Sequence, residues 1–220
     1  MLVAGVDEAG RGCVLGPLVI AGVAILTDEL PNLIALGVKD SKLLTQKKRN
    51  ILFQEILKLN LNFKIIKVPP LDIDKAVNCS IALHKLNRLE AKTMAQIIEH
   101  LNPDEAYVDA ADIIEERYAT HIKEHLTIKP KIISRHKADQ LYPIVSAASI
   151  IAKVTRDKEI EQIKNKYGDI GSGYPHDKKT QNFLTQWLKT HKTYPPCIRK
   201  SWKPAKKALN QRNTTQQKLY

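Results

Sequence analysis

Two β-branched apolar runs open the chain, LVAGVD at residues 2–7 and PLVIAGVAIL at 17–26, joined by a Gly-rich connection that begins DEAGRG. Such runs read as two antiparallel strands of a buried sheet. Asp7 and Glu8 stand side by side at the inner end of the first strand. Adjacent carboxylates there are expensive to bury without partners, so the fold must give them a purpose. Side chains alternate across a strand, and a regular strand would send Asp7 and Glu8 to opposite faces. Gly10 and Gly12 imply that the chain leaves the strand here, which would free Glu8 to turn toward Asp7.

Downstream, strand-like and helical patterns alternate. A third short strand is expected near Leu33–Val38, then a helix capped by Thr45 over QKKRNILFQEILKLN, with Ile51, Ile56 and Leu59 near one face. NFKIIKVPP reads as a strand stopped by its prolines, and residues 80–100 as an amphipathic helix. A strand at 105–109, a helix over 112–125, a strand at 128–135 and a long helix at 143–167 follow, with Pro143 in a permitted first-turn position. GDIGSGYPHD is a loop, and further helices begin at Lys178. The pattern predicts an α/β fold, a mixed sheet with helices on its faces, in which Asp7, Asp109 and Asp139 each end an apolar run. Asp112 is expected to sit near the positive end of a helix rather than to bind metal.

Charge distribution adds a second clue. Of 35 Lys and Arg, eleven lie from Lys178 onward with none of the 23 Asp and Glu, so the net charge of +12 is a C-terminal property. That blanket, interleaved with Trp187, Tyr194 and Trp202, is expected either to follow phosphate backbones or to be a solvated tail. Cys13, Cys79 and Cys197 form no CxxC pair and read as reduced thiols. No apolar run approaches the ~18 residues of a membrane span, and no charged leader precedes a cleavage site, so a soluble, cytoplasmic protein is expected. Taken singly, each carboxylate reads as a cap or an ion-pair member. A converging set would suit Mg²⁺, which takes oxygen ligands, and paired ions at ~3.5–4 Å can clamp both oxygens of a phosphodiester exchange.

Six blocks in order, DEAGRG, KDSK at 39–42, YVDAAD at 107–112, HKAD at 136–139, SAASIIAKVTRD at 146–157 and GSGYPHD at 171–177, resemble ribonuclease HII, most closely its archaeal members. While the low-complexity composition of the last residues suggests a flexible tail over 210–220, the resemblance implies a ribonuclease H-like catalytic domain over 1–177 and a basic helical region over 178–209. It implies cleavage of the RNA strand of RNA–DNA hybrids, and of duplex DNA 5′ to an embedded ribonucleotide, leaving 3′-hydroxyl and 5′-phosphate ends. Asp7, Glu8, Asp109 and Asp139 match the family's metal-binding carboxylates, for two Mg²⁺ or Mn²⁺ ions. His136 is not required by that scheme and reads as a loop residue.

Gly10, Arg11 and Gly12 match the motif that checks for a ribose 2′-hydroxyl, although the same glycines also suit a tight turn. Tyr174 matches the tyrosine that stacks on the following nucleotide. Lys39, Ser41, Lys42, Ser146, Ser149 and Lys153 are candidates for phosphate contacts, and Asn87 matches a helix amide that touches nucleic acid. Arg156 and Asp157 read as an internal ion pair, and Ala147, Ala148 and Ala152 permit close packing. The C-terminal QQKLY is similar in part to a sliding-clamp-binding peptide, through Gln216 and Leu219, with Tyr220 as a lone, misplaced aromatic. Alternatives are a ribonuclease HIII, which would carry an extra N-terminal domain, another ribonuclease H-like nuclease such as a junction resolvase, or a non-catalytic nucleic-acid-binding module. The last explains the basic end and leaves the carboxylates without a reason.

Overall fold

Antiparallel pairing of β1 (Leu2–Ala9) with β2 (Leu18–Leu26) sets Leu2 opposite Leu26 and Ala9 opposite Val19. The computed structural model describes residues 1–38, 44–80 and 85–217. After β2 come α1 (Leu30–Ala35), α2 (Gln46–Lys58), β3 (Asn62–Val68), α3 (Pro70–Asn78) and α4 (Lys85–Leu101). Then follow β4 (Glu105–Asp109), α5 (Glu115–Lys123), β5 (Lys131–Arg135), α6 (Ala138–Leu141), α7 (Pro143–Tyr167), α8 (Lys178–Thr190) and α9 (Lys203–Gln217). Among the described residues the strands form a mixed sheet in the order β3-β2-β1-β4-β5. β4 runs parallel to β1 and β5 parallel to β4.

These residues divide into two compact units, one drawn from 1–9, 19–67 and 83–155, the other from 10–18, 68–82 and 156–220. In the first unit the sheet is covered on both faces. Val3 and Ala9 of β1 and Ala21 and Val23 of β2 share a core with Val145 and Ala148 of α7. Each such Val or Ile, fully buried, contributes about 1.5–3 kcal/mol by leaving water. Gly5 is needed there, because a Cβ on it would overlap the backbone of Ile144 and Val145. Ala147, Ala148 and Ala152 are fully buried, so the small residues serve close helix packing. On the other face Val6 and Gly22 meet Ile97 and Leu101 of α4.

In the second unit Leu15, Ile160, Leu184, Leu188 and Ile198 form a core of their own. Asp177 caps α8 by accepting from the Lys179 backbone N–H at 2.9 Å. Asp74 of α3, buried, accepts from the Lys200 N–H at 2.8 Å, the Ser201 N–H at 2.9 Å and the Ser201 hydroxyl at 2.5 Å.

Several local expectations change. Residues 30–35 are helical rather than a strand over 33–38, started by Pro31 in the first turn and anchored by buried Leu33. The Pro-Pro pair that ends β3 also begins α3, with Pro70 as its first residue, where its missing N–H costs nothing. α5 starts at Glu115, three residues beyond Asp112. Thr45 caps α2 as expected, accepting from the Lys48 N–H at 3.3 Å. No helix among the described residues is long and apolar enough to cross a membrane.

Candidate active site

β1 keeps its pairing with β2 through Glu8 opposite Ile20 and Ala9 opposite Val19, so the chain leaves the strand only after both carboxylates. The turn starts at Gly10, whose φ is 84°. Asp7 therefore shares the face of Val3 and Gly5, which is covered by α7, while Glu8 is on the face of Val6. The Glu8 backbone N–H donates to Asp7 Oδ1 at 2.7 Å.

The parallel register of β1 with β4 pairs Val6 with Val108. Continued by one residue, it brings Asp109, the last of β4, alongside Asp7. Asp109 Oδ1 accepts from the Ala138 N–H at 2.8 Å. That bond ties the end of β4 to the first turn of α6, where Asp139 is buried. Lys137, left-handed at φ 56°, turns the chain from β5 into that helix.

Asp7 is 4% exposed. Burial first, then the charges of Glu8 and Asp109, hold its carboxyl well above the ordinary range, opposed by a hydrogen bond from Ser149 and by Lys153. The Lys153 ammonium donates to Ser149 Oγ at 2.7 Å. Two candidate phosphate ligands thus stand beside the first carboxylate. Ser146 does not join them: it is fully buried and its hydroxyl donates to the Val38 carbonyl. A phosphate cannot reach it, and its part is to anchor the turn that follows α1 onto α7. Lys39, Ser41 and Lys42 lie outside the described residues.

Asn87 donates from Nδ2 to Asp112 Oδ2 at 3.1 Å. Asp112 is also gripped by Arg117, through Nε at 3.0 Å and through Nη2, and accepts from the Ile114 N–H at 3.0 Å. Those partners, the Arg117 hydrogen bond foremost, hold its carboxyl far below the usual range against the opposing effect of burial. Asp112 is thus a structural anchor just ahead of α5, as its position suggested, and Asn87 belongs to the same network. His136 is exposed, with its backbone N–H on Glu115 Oε1 at 2.6 Å and its ring Nε2 3.2 Å from the Ile113 carbonyl. It orders a loop.

The donor set of Asp7, Glu8, Asp109 and Asp139 is all carboxylate oxygen, the chemistry that Mg²⁺ and Mn²⁺ prefer. Among the described residues no three His, Cys, Asp or Glu side chains are already gathered at ion-holding distances. Neighbouring carboxylates repel, and the charges of Glu8 and Asp109 add to burial in holding the Asp7 carboxyl up. A divalent cation would remove that repulsion, so the residues fit the ion in chemistry and in charge.

In the second unit, the Gly10–Cys13 turn is closed by the Cys13 N–H donating to the Gly10 carbonyl at 3.2 Å. The Val14 N–H donates to the Gly173 carbonyl at 2.8 Å, which joins this turn to the loop that carries Tyr174. Arg199, fully buried, donates from Nη1 to the Arg11 carbonyl at 2.8 Å and from Nε to the Gly16 carbonyl at 3.1 Å. No sequence signal separates Arg199 from the basic residues around it, and composition counts it as surface charge. Gly12 is exposed, lacks a positive φ, and a Cβ on it would meet nothing within 4 Å. The protein itself has no use for a glycine there.

The basic end divides by residue type. Lys178, Lys189, Lys192, Lys203, Lys206 and Lys207 are exposed. The interleaved aromatics pack inward: Tyr194 is buried, with its hydroxyl on the Ala205 carbonyl at 3.1 Å, and Trp187 and Trp202, partly buried, pack against the same core.

The chain matches the family model described as Ribonuclease HII over residues 4–205. It is 48% identical over 209 residues to the ribonuclease HII of Thermococcus sibiricus, covering 94% of this chain and 91% of that one. Its structure is similar to the crystal structure of ribonuclease H2 from Pyrococcus horikoshii, with a TM-score of 0.88 and 44% identity over 97% of this chain and 99% of the other. It is also similar to the ribonuclease HII of Archaeoglobus fulgidus in its complex with PCNA, with a TM-score of 0.82 and 44% identity over 92% and 96%.

Proposed function

Since the chain belongs to the ribonuclease HII family and is a metal-dependent endoribonuclease with ribonuclease H activity, we propose that Asp7, Glu8, Asp109 and Asp139 hold two divalent ions, Mg²⁺ or Mn²⁺. Ions held there would supply activation of the attacking water and stabilisation of the departing 3′ oxygen. Burial and the acidic neighbours of Asp7 favour its protonated form, and charge compensation would favour the carboxylate needed for coordination. Ser149, linked to Lys153, orients that carboxylate by hydrogen bonding. Lys153 also offers a positive charge for the phosphate next to the scissile bond.

Gly10, Arg11 and Gly12 would read the 2′-hydroxyl, which is both donor and acceptor, through backbone groups. Gly12 supports this reading, since open space around its missing side chain leaves room for a sugar to approach. Tyr174, half-buried, would lay its ring on the next nucleotide. Lys39, Ser41 and Lys42, in the KDSK block, keep their assignment as candidate phosphate contacts. The substrates are then RNA–DNA hybrids and duplex DNA with embedded ribonucleotides, cut 5′ to the ribonucleotide, in the cytoplasm. The A. fulgidus relative's complex with PCNA supports a sliding clamp as a partner of the C-terminal segment around Gln216, Leu219 and Tyr220.

The observation that carries the catalytic reading is the buried Asp7, under pressure from Glu8 and Asp109 at the end of two parallel strands. Duplex DNA bearing one ribonucleotide tests it. With Mg²⁺ the protein is expected to nick it 5′ to the ribonucleotide and leave a 3′-hydroxyl, and chelation should stop the reaction. Binding without cleavage would reduce the protein to a nucleic-acid-binding module.

A further inference from the structure

Arg156 is buried, and a buried guanidinium is costly unless its surroundings are built for it. What surrounds it is the Gly10–Cys13 turn, proposed above to read the 2′-hydroxyl, and the loop that carries Tyr174. Nη2 donates to the Ser172 carbonyl at 2.5 Å and to Cys13 Sγ at 3.1 Å. Nη1 pairs with Asp157 Oδ1 at 3.2 Å, the internal ion pair expected from the sequence. The guanidinium carbon lies 5.0 Å from the centroid of the Tyr174 ring, within cation–π range. A Cβ at Gly10 would come within 3.3 Å of Arg156 Cγ, and one at Gly173 within 3.3 Å of Nη2. One side chain therefore touches the Gly10–Cys13 turn, the Ser172–Tyr174 loop and the aromatic ring itself.

We propose that Arg156 and Cys13 form a clasp that fixes the Tyr174 ring against the Gly10–Cys13 turn and so sets how tightly the nucleotide after the ribonucleotide is held. Arg156 holds the ring by its face, and Cys13, bonded to Nη2, ties the guanidinium to the turn. Both are positioning residues that act through Tyr174, and the proposal rests on the reading of Tyr174 as the residue that stacks on that nucleotide. Lysine cannot replace Arg156 here, because a point charge lacks the planar fork that reaches Ser172 and Cys13 while stacking on a ring.

Steady-state kinetics on duplex DNA with a single ribonucleotide, in a double-mutant cycle with Tyr174→Ala, test the clasp. Cys13→Ala and Arg156→Lys are each expected to raise KM roughly 3- to 10-fold, the worth of one ring contact or hydrogen bond, with kcat within about twofold of the parent. Cys13→Ser, whose hydroxyl can still accept and donate, should restore KM. In a Tyr174→Ala background neither substitution should add a further loss. Additive losses, or a fall in kcat with KM unchanged, would overturn the clasp while leaving Tyr174 as the stacking residue. If Tyr174→Ala alone leaves KM unchanged, the stacking role of Tyr174 fails, and the clasp falls with it. Cys13→Ala keeps the test decisive should Arg156→Lys not fold.

Discussion

Gly10 and Gly12 sit two residues apart in one motif, yet alanine at the two sites should fail in opposite ways. Gly10 has φ 84°, and a Cβ there would lie 3.0 Å from the Pro17 carbonyl oxygen. A left-handed non-glycine residue costs roughly 1–2 kcal/mol, and for a chain of this length about 1 kcal/mol moves the melting temperature by about 2–4 °C. Gly10→Ala is thus expected to lower Tm by about 2–8 °C. Gly12 has no positive φ, and a methyl group added to it would have no neighbour within 4 Å. Gly12→Ala should leave Tm unchanged or raise it, since a suitable Gly→Ala change removes unfolded-state freedom worth about 0.4–1 kcal/mol. Its penalty should appear in catalysis. Losing one backbone contact to a 2′-hydroxyl costs about 0.5–1.5 kcal/mol, a fall in kcat/KM of up to roughly tenfold. Scanning fluorimetry and cleavage of a single-ribonucleotide duplex check both halves. A stable Gly12→Ala enzyme with parental kcat/KM would refute the claim that this position is kept open for the sugar.

Acid sensitivity follows from Asp112, whose carboxyl is held below the ordinary range mainly by Arg117. A depressed folded-state pKa stabilises fully above the unfolded value of about 4 and is lost as pH falls below it. Asp112→Asn should therefore cost about 1–3 kcal/mol at pH 7, and urea melts should show a smaller loss of stability than in the parent as pH drops below about 4. Asp74 holds the backbone of Lys200 and Ser201 and the Ser201 hydroxyl. Asp74→Ala should lower stability by about 2–3 kcal/mol in the same melts, the worth of hydrogen bonds to a charged acceptor. An unchanged midpoint would mean those bonds contribute nothing net.

The set of strand ends is legible in the sequence. Apolar β-like runs stop at Asp7 and Asp109, and the parallel register between β1 and β4 makes their neighbourhood follow from the sheet alone. Side-chain direction is harder to read. The glycines suggest a release of Glu8, but pairing with β2 persists through Ala9 because the antiparallel ladder is still intact there. Residues 33–38 resemble a strand because LIALGV is apolar, whereas Pro31 starts a helix that buries Leu33 alone. Ser146 and Ser149 are three apart in one helix, and only contact with Val38 on one side and Asp7 on the other tells them apart. Arg199 and the three aromatics near it escape a reading by composition for one shared reason. Composition sees charge and rings near the C-terminus, while burial assigns Arg199 to the carbonyls of the Gly10–Gly16 segment and the rings to the second core.

Asp7→Asn puts the catalytic account to its most direct test, because the proposed metal role and the burial of one side chain have opposite effects on chemistry and on stability. In metal-free protein the buried carboxyl is pushed up in pKa by burial, Glu8 and Asp109. A raised folded-state pKa lowers stability as pH rises above the unfolded value of about 4, so the neutral amide should be at least as stable as the parent at pH 7. Calorimetric titration with Mn²⁺ alongside cleavage of a single-ribonucleotide duplex gives the comparison. The account predicts an undiminished melting temperature without metal, weakened Mn²⁺ binding and cleavage reduced at least ~100-fold, the loss of about 2.7 kcal/mol of transition-state stabilisation. Parental cleavage and parental Mn²⁺ affinity in a folded Asp7→Asn protein would contradict it.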